Sequence, residues 1–196
     1  CDTAPICYGD RAMKLEFPGV MANITAEALV LCSEHALHTL SSAVVVGGYT
    51  RTHCIINRHV DKNYDELNPV GDCVAFARDR GIGEPFVGLM TAVDMDRARA
   101  VIVQDGGLTV AAVVTAGLSN PASPGLGSPT LPRPGTINLI LLVDANLMPA
   151  AMVNVVITAT EAKTHFLLEN EVRTPERHLA TGTSTDAVVV ACTGRR

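Results

Sequence analysis

The stretch "RAVIVQDGGLTVAAVVTAG" (residues 99–117) decides the fold. Two apolar runs, 99–104 and 108–117, flank an Asp-Gly-Gly segment, and glycines there supply the positive φ angles of a tight hairpin turn. At least one strand pair is therefore antiparallel, which argues against a purely parallel, doubly wound sheet.

Working outward, strand-like runs recur at 28–32, 41–48, 53–60, 86–93, 136–144 and 186–194. They are rich in Val and Ile, and several are apolar at nearly every position, the pattern of strands buried on both faces. Helix signals are fewer. Residues 71–83 have a Gly-Asp start and a Gly stop, and "DANLMPAAMVNVVITATEAKTHFLLENEV" (144–172) predicts a long helix with Pro149 in its first turn and apolar spacing through Leu168. "SEHALH" (33–38) reads as helical, with His35 and His38 at i,i+3 as solvated residues rather than a metal pair, because no third ligand is near. The expected architecture is α+β, a layered sandwich of mixed, largely buried β-sheet with a few helices. The 196 residues are expected to form one domain, 1–196.

The chain is 47% hydrophobic and 18% charged, with a formal net charge of -5. Without clustered Lys and Arg, nucleic acid is excluded as a partner. Short, interrupted apolar runs predict no transmembrane helix. The six cysteines show neither CxxC nor zinc spacing, and Cys32, Cys54 and Cys192 fall in apolar runs where a thiol acts as a small hydrophobe. A reduced, cytoplasmic setting follows. A start at Cys1 suggests a trimmed leader or a few lost residues, and a homo-oligomer is left open.

"SNPASPGLGSPTLPRPG" (119–135) holds five prolines and one charge, so it is neither helix nor central strand. It reads as a surface loop or as a lid over a site.

No HExxH, GxSxG, P-loop or GxGxxG motif is present. Helix geometry is more informative. At about 100° per residue, Asn154, Thr158, Glu161 and His165 form one narrow stripe, while Lys163 lies within the opposite, apolar face. A lysine there either snorkels to water or is aimed into a pocket, where desolvation suits it to catalysis. "LATGTSTDAVVV" (179–190) places Thr181, Thr183, Ser184 and Thr185 before Asp186 and a buried run. Such a loop presents N–H groups and hydroxyls to an anion or a polarised carbonyl, or is a turn capped by Asp186.

"LSSAVVVGGYTRTHCIINRHVDKNYDELNP", "VGLMTAV", "VVTAGLSNP", "GTINLILLVDANLMPAAMVNVVITATEAKT" and "ATGTSTDAVVVAC" occur in an order that resembles the adenosylcobinamide amidohydrolase family from about Leu40 to Cys192. The resemblance implies hydrolysis of the aminopropanol amide of adenosylcobinamide to adenosylcobyric acid and 1-aminopropan-2-ol, a step of corrinoid salvage found chiefly in archaea. It implies no protein cofactor and no protein-bound metal, cobalt being carried by the corrinoid substrate. The last two blocks are also similar to the C-terminal halves of β-peptidyl aminopeptidases and ornithine acetyltransferases, which implies a β-α-α-β layering.

For such a reaction the candidate catalytic residues are Glu161, Lys163, Asp186 and His59. The loop 181–185 would bind the oxyanion, Asp186 or Glu161 would activate water or a hydroxyl, and Lys163 would neutralise charge or protonate the departing amine. Asn57, Asp61, Asn120, Asn138, Thr181, Thr183 and Ser184 are the candidate substrate contacts. Rival readings are a corrinoid-binding protein without catalysis and an amidase or acyltransferase for another amide.

Overall fold

The computed structural model describes residues 15–126 and 135–195. Its elements run β1 (Val20–Ile24), β2 (Ala28–Ser41), β3 (Gly48–His59), α1 (Pro69–Asp79), β4 (Phe86–Thr91), β5 (Arg99–Asp105), β6 (Leu108–Ala116), β7 (Pro121–Ala122), β8 (Ile137–Val143), α2 (Pro149–Glu169), β9 (Gly182–Thr183) and β10 (Ala187–Cys192). One mixed sheet has the order β4-β3-β2-β10-β8-β6-β5, with β1 added beside β2, and β7 pairs separately with β9. Pairs β3–β4 and β8–β10 are parallel; β5–β6 is the hairpin expected from Asp-Gly-Gly. Asp105 faces Leu108 across it, and Gly106 and Gly107 take φ of 55° and 83°, the signs a two-residue type I′ turn requires.

The shape of the sheet follows from β2. This fourteen-residue strand pairs with β3 along its length, but the register shifts between Cys32 and Leu37. An extra residue in one strand bends it and raises its twist. The first half of β2 serves β1, and the second half serves β10. The two half-sheets then fold over one core, in which Leu29, Leu31, Ile55 and Leu89 meet Val113, Ile140, Leu142 and Val189. Burying each such side chain is worth about 1.5–3 kcal/mol.

Alternate residues face outward and carry the helices. Phe76 and Ala77 of α1 pack on Ile56 and Phe86, and Met152 and Leu167 of α2 pack on Val143, Val190 and Leu139. The layered α+β sandwich expected from the sequence is thus the architecture found. Both helices cover the outer face, instead of lying between two sheets as β-α-α-β layering would have them. α1 starts at Asn68, whose side chain accepts from Gly71 N at 2.9 Å, and Pro69 follows it. Asp72 in its first turn pairs with Arg58 at 2.6 Å and accepts from the Tyr64 hydroxyl at 2.8 Å. Burial and that bond to Asp72 push Tyr64 up to about 12.

Two sequence expectations are corrected. Residues 33–38 are strand, not helix, so His35 and His38 lie on β2, where pairing with β3 and β10 overrides local helical spacing. Beyond Ser41 the run to Gly48 is irregular: Val46 has φ of 51°, and Val45 exchanges backbone bonds with Gly88 at 3.0 and 3.1 Å. α2 begins at Pro149 as read and ends at Glu169, inside the stretch 144–172, whereas α1 starts two residues before and ends four residues before the reading 71–83. Cys32, Cys54, Cys73 and Cys192 are free thiols. No helix among the described residues is long and apolar enough to cross a membrane.

The open end of the folded sheet is closed by a buried polar network. Asn57 Nδ2 donates to Thr115 Oγ1 at 2.9 Å, and Asn138 Nδ2 donates to Asn57 Oδ1 at 2.8 Å and to the Met90 carbonyl at 2.9 Å. Strands β3, β4, β6 and β8 are joined there, although β2, β10 and β8 separate β3 from β6 within the sheet. Asn138→Ala leaves two buried acceptors unpaired and is expected to lower the unfolding free energy by about 2–3 kcal/mol. Urea denaturation checks this; a change within about 0.5 kcal/mol, the range of ordinary surface substitutions, would count against the network.

Candidate functional site

Helix α2 turns its apolar face to the sheet, and Lys163 goes with it. The neighbouring Thr164 hydroxyl donates to the Thr181 carbonyl at 3.2 Å, tying the helix to the loop that precedes β10. That loop is held from several sides. Thr181 N donates to Ala122 O at 3.0 Å, β9 pairs Gly182 with Ala122 and Thr183 with Pro121, and Asn120 Nδ2 donates to Ser184 Oγ at 2.8 Å. Thr185 Oγ1 donates to Gly135 O at 2.9 Å, and Thr136 Oγ1 donates to Thr185 O at 2.6 Å. Both ends of the proline-rich segment 119–135 are therefore fastened to this loop. Its interior, 127–134, lies outside the described residues, and with it the reading of that segment as a lid.

Asp186 is the hub. Its Oδ2 pairs with Lys163 Nζ and accepts from Thr183 N at 3.1 Å, while its Oδ1 accepts from the Thr183 hydroxyl and from Ile137 N at 3.0 Å. The side chains of Lys163 and Asp186 are each 14% exposed. At that burial an ion pair needs its remaining lone pairs satisfied to offset desolvation, and here the carboxylate has a full set of donors. Gly182 makes the arrangement possible: a Cβ on it would lie 2.5 Å from Asp186 Oδ2 and 2.8 Å from Lys163 Nζ.

The pair lines an open cleft of about 410 Å³ between α2 and the paired ends of β2 and β10. Leu40, Val153, Val156 and Val188 make its apolar walls. The exposed Ile157, one turn beyond Val153 on the same helix, continues the apolar surface. Ser41 and Ser42 also line it, Ser42 through its hydroxyl, whereas Ser41 pairs with the core residue Val189 and turns its side chain to the inner face of the sheet. Ser42 Oγ accepts from Val188 N at 3.0 Å, which leaves its own proton to donate, and the buried Ser41 Oγ has no partner among the described residues. Sequence reading missed both serines. They lie at the end of β2 in a run of small residues, and only the β2–β10 pairing brings Ser42 to the cleft that Lys163 lines.

The sequence candidates are thus sorted by the fold. Lys163, Asp186, Thr181, Thr183, Ser184 and Asn120 come together. Glu161 is exposed on the solvent stripe of α2, with His165 beside it in a pair with Glu169 at 3.1 Å. His59 lies at the end of β3, its Nδ1 3.0 Å from the Val93 carbonyl. Asp61 is exposed and caps a turn by accepting from Asn63 N at 2.7 Å. Asn57 and Asn138 are only 2% and 1% exposed and bonded within the protein, so they hold strands together where substrate contacts were expected.

Comparison with known proteins bears on this site. The crystal structure of the PH0078 protein from Pyrococcus horikoshii aligns with 97% of this chain and 71% of its own, at 13% identity and a TM-score of 0.45. An adenosylcobinamide amidohydrolase of Methanosarcina mazei is 37% identical over 74% of this chain and 64% of its own length. One of Halobacterium salinarum is 42% identical over 53% of this chain and 43% of its own. The chain thus spans less than two thirds of the length of these two amidohydrolases. The profile of the adenosylcobinamide amidohydrolase family matches residues 17–196, which include every residue of the cleft. With nearly the whole chain inside that match, the protein belongs to the adenosylcobinamide amidohydrolase family.

Proposed function

We propose that this chain hydrolyses the aminopropanol amide of adenosylcobinamide, giving adenosylcobyric acid and 1-aminopropan-2-ol. The observation that carries the reading is Lys163, paired with Asp186 in the lining of an apolar cleft, in a chain of this family. A corrinoid brings a wide ring edged with apolar and amide groups, and the walls of Val153, Val156, Leu40 and Val188 with the exposed Ile157 suit its apolar part. The cobalt enters and leaves with the substrate.

In amide hydrolysis, water adds to the carbonyl carbon, the C–N bond breaks, and a proton is delivered to the departing nitrogen. Lys163 has three N–H bonds, and Asp186 takes one of them. The others can be directed at the carbonyl oxygen as it gains negative charge, or at the leaving amine. Asp186 already accepts from Lys163, from Ile137 and twice from Thr183, so its role is to hold the ammonium, and not to take a proton from water. The Ser42 hydroxyl, which accepts from Val188 N and keeps its proton to donate, can orient the amide.

Incubation of the purified chain with adenosylcobinamide is expected to release aminopropanol and cobyric acid in equal amounts, read by liquid chromatography. Lys163→Met should lower turnover by about 10²–10³-fold, the usual loss of one charge-stabilising donor, while corrinoid binding persists. Binding without aminopropanol release from the wild-type chain would identify a carrier instead, and release from small amino-acyl amides alone would indicate a different amidase.

Gly182→Ala tests the geometry separately. The added methyl group must displace the Lys163–Asp186 pair, and turnover should fall by about tenfold or more with an unfolding cost of about 1–3 kcal/mol. Unchanged turnover in Gly182→Ala would mean that the pair's position is immaterial.

A further inference from the structure

Strand β5 ends the sheet, and among the described residues nothing pairs with its outer edge. All of its residues except Ile102 are exposed, Val101 and Val103 at 58% and 60%. Proteins usually guard a free edge with lysine, proline or a bulge, because unpaired N–H and C=O groups template another strand. Between its end residues β5 reads Ala-Val-Ile-Val-Gln and has no such guard.

The sequence of the strand is self-complementary. Set antiparallel to a copy of itself about Ile102, "RAVIVQD" opposes Arg99 to the partner's Asp105 and Val101 to the partner's Val103. A two-fold interface needs this property, since each contact must occur twice. The backbone agrees with the same register. In a two-residue hairpin the residues flanking the turn form a hydrogen-bonded pair, so Asp105, Val103, Val101 and Arg99 spend their main-chain groups on β6. Ala100, Ile102 and Gln104 then direct theirs to the open edge. About Ile102, Ala100 meets the partner's Gln104 and Ile102 meets its own copy, so every outward group finds a partner. Shifts of two residues in either direction lose both the Arg–Asp pairs and part of the ladder.

The side chains fall on the matching face. Ile102 turns inward against the core, so Arg99, Val101, Val103 and Asp105 share the outer face of the sheet. Asp105 forms no ion pair among the described residues. Arg99 uses Nη1 on the Asp96 and Ala98 carbonyls, at 2.9 and 2.8 Å, and keeps the rest of its guanidinium. The valines would sit in non-hydrogen-bonded pairs, where opposed side chains approach most closely.

We propose that the chain forms a two-fold dimer by antiparallel pairing of β5 with β5 of a second copy, continuing the sheet across the interface. This stands apart from the corrinoid reading, because β5 is remote from the cleft in sheet order.

Sedimentation equilibrium at micromolar concentration tests it. The wild-type chain should be dimeric. Arg99→Asp and Asp105→Arg, each placing like charges opposite one another twice, should weaken the dimer by about tenfold, and the double exchange should restore it. Gln104→Pro, which removes an outward N–H at an exposed position, should also favour the monomer. Matching circular dichroism establishes that the variants are folded; should Gln104→Pro fail to fold, the charge exchange alone decides. A monomeric wild type, or an oligomer indifferent to the charge exchange, overturns the proposal, the latter placing any self-association on another face.

Discussion

A single strand has to serve two half-sheets, and the rest of the structure depends on how it does so. β2 is long enough to pair with β1 at one end and β10 at the other, but a straight strand of that length would leave a flat sheet with one covered face. The register shift between Cys32 and Leu37 bends it. The half-sheets then fold onto each other, and one set of alternating side chains becomes a common core while the other set receives the helices. Folding the sheet brings β3 opposite β6 and β8, which is why Asn57 meets Thr115 and Asn138, far away in sequence, in the interior.

The same bend prepares the cleft. By delivering the end of β2 to β10, it sets Ser42 beside the strand that Asp186 precedes, in the cleft that Lys163 of α2 also lines. Asp186 then joins helix, loop and sheet through one carboxylate, and the absence of a side chain at Gly182 lets the ammonium and carboxylate approach. A site of this kind tolerates little: the lysine is held by a group with no spare lone pair, and the loop that shapes it is anchored from Ala122, Gly135 and Thr136.

Much of the fold was legible in the sequence where the deciding interactions are local. The β5–β6 hairpin needs only two glycines between apolar runs, and α2 needs only a proline start and a period of about 3.6. Lys163 on the apolar face, and the wet stripe of Asn154, Thr158, Glu161 and His165, follow from that period as well. Reading failed at residues 33–38, where propensity suggested helix, and at 42–47, where it suggested strand. There the long-range pairing of β2 imposes strand first, and the Val45–Gly88 bridge with the positive φ of Val46 imposes an irregular turn after it.

For the site, residue type and family-like blocks singled out Lys163, Asp186 and the 181–184 loop, because those residues are unusual for their local setting. The sequence by itself therefore determined the antiparallel hairpin, the long helix, the class of fold and the suspect lysine, all properties of neighbours within a turn or two of chain. Only the tertiary structure decided which suspects meet. It turned Glu161 to water, buried Asn57 and Asn138 as ties between strands, and brought Ser42 into one cleft with Lys163 across more than a hundred residues of chain. The physical reason is that spacing along one element fixes which face a side chain shares, whereas what lies opposite that face is set by strand order and by the bend in β2.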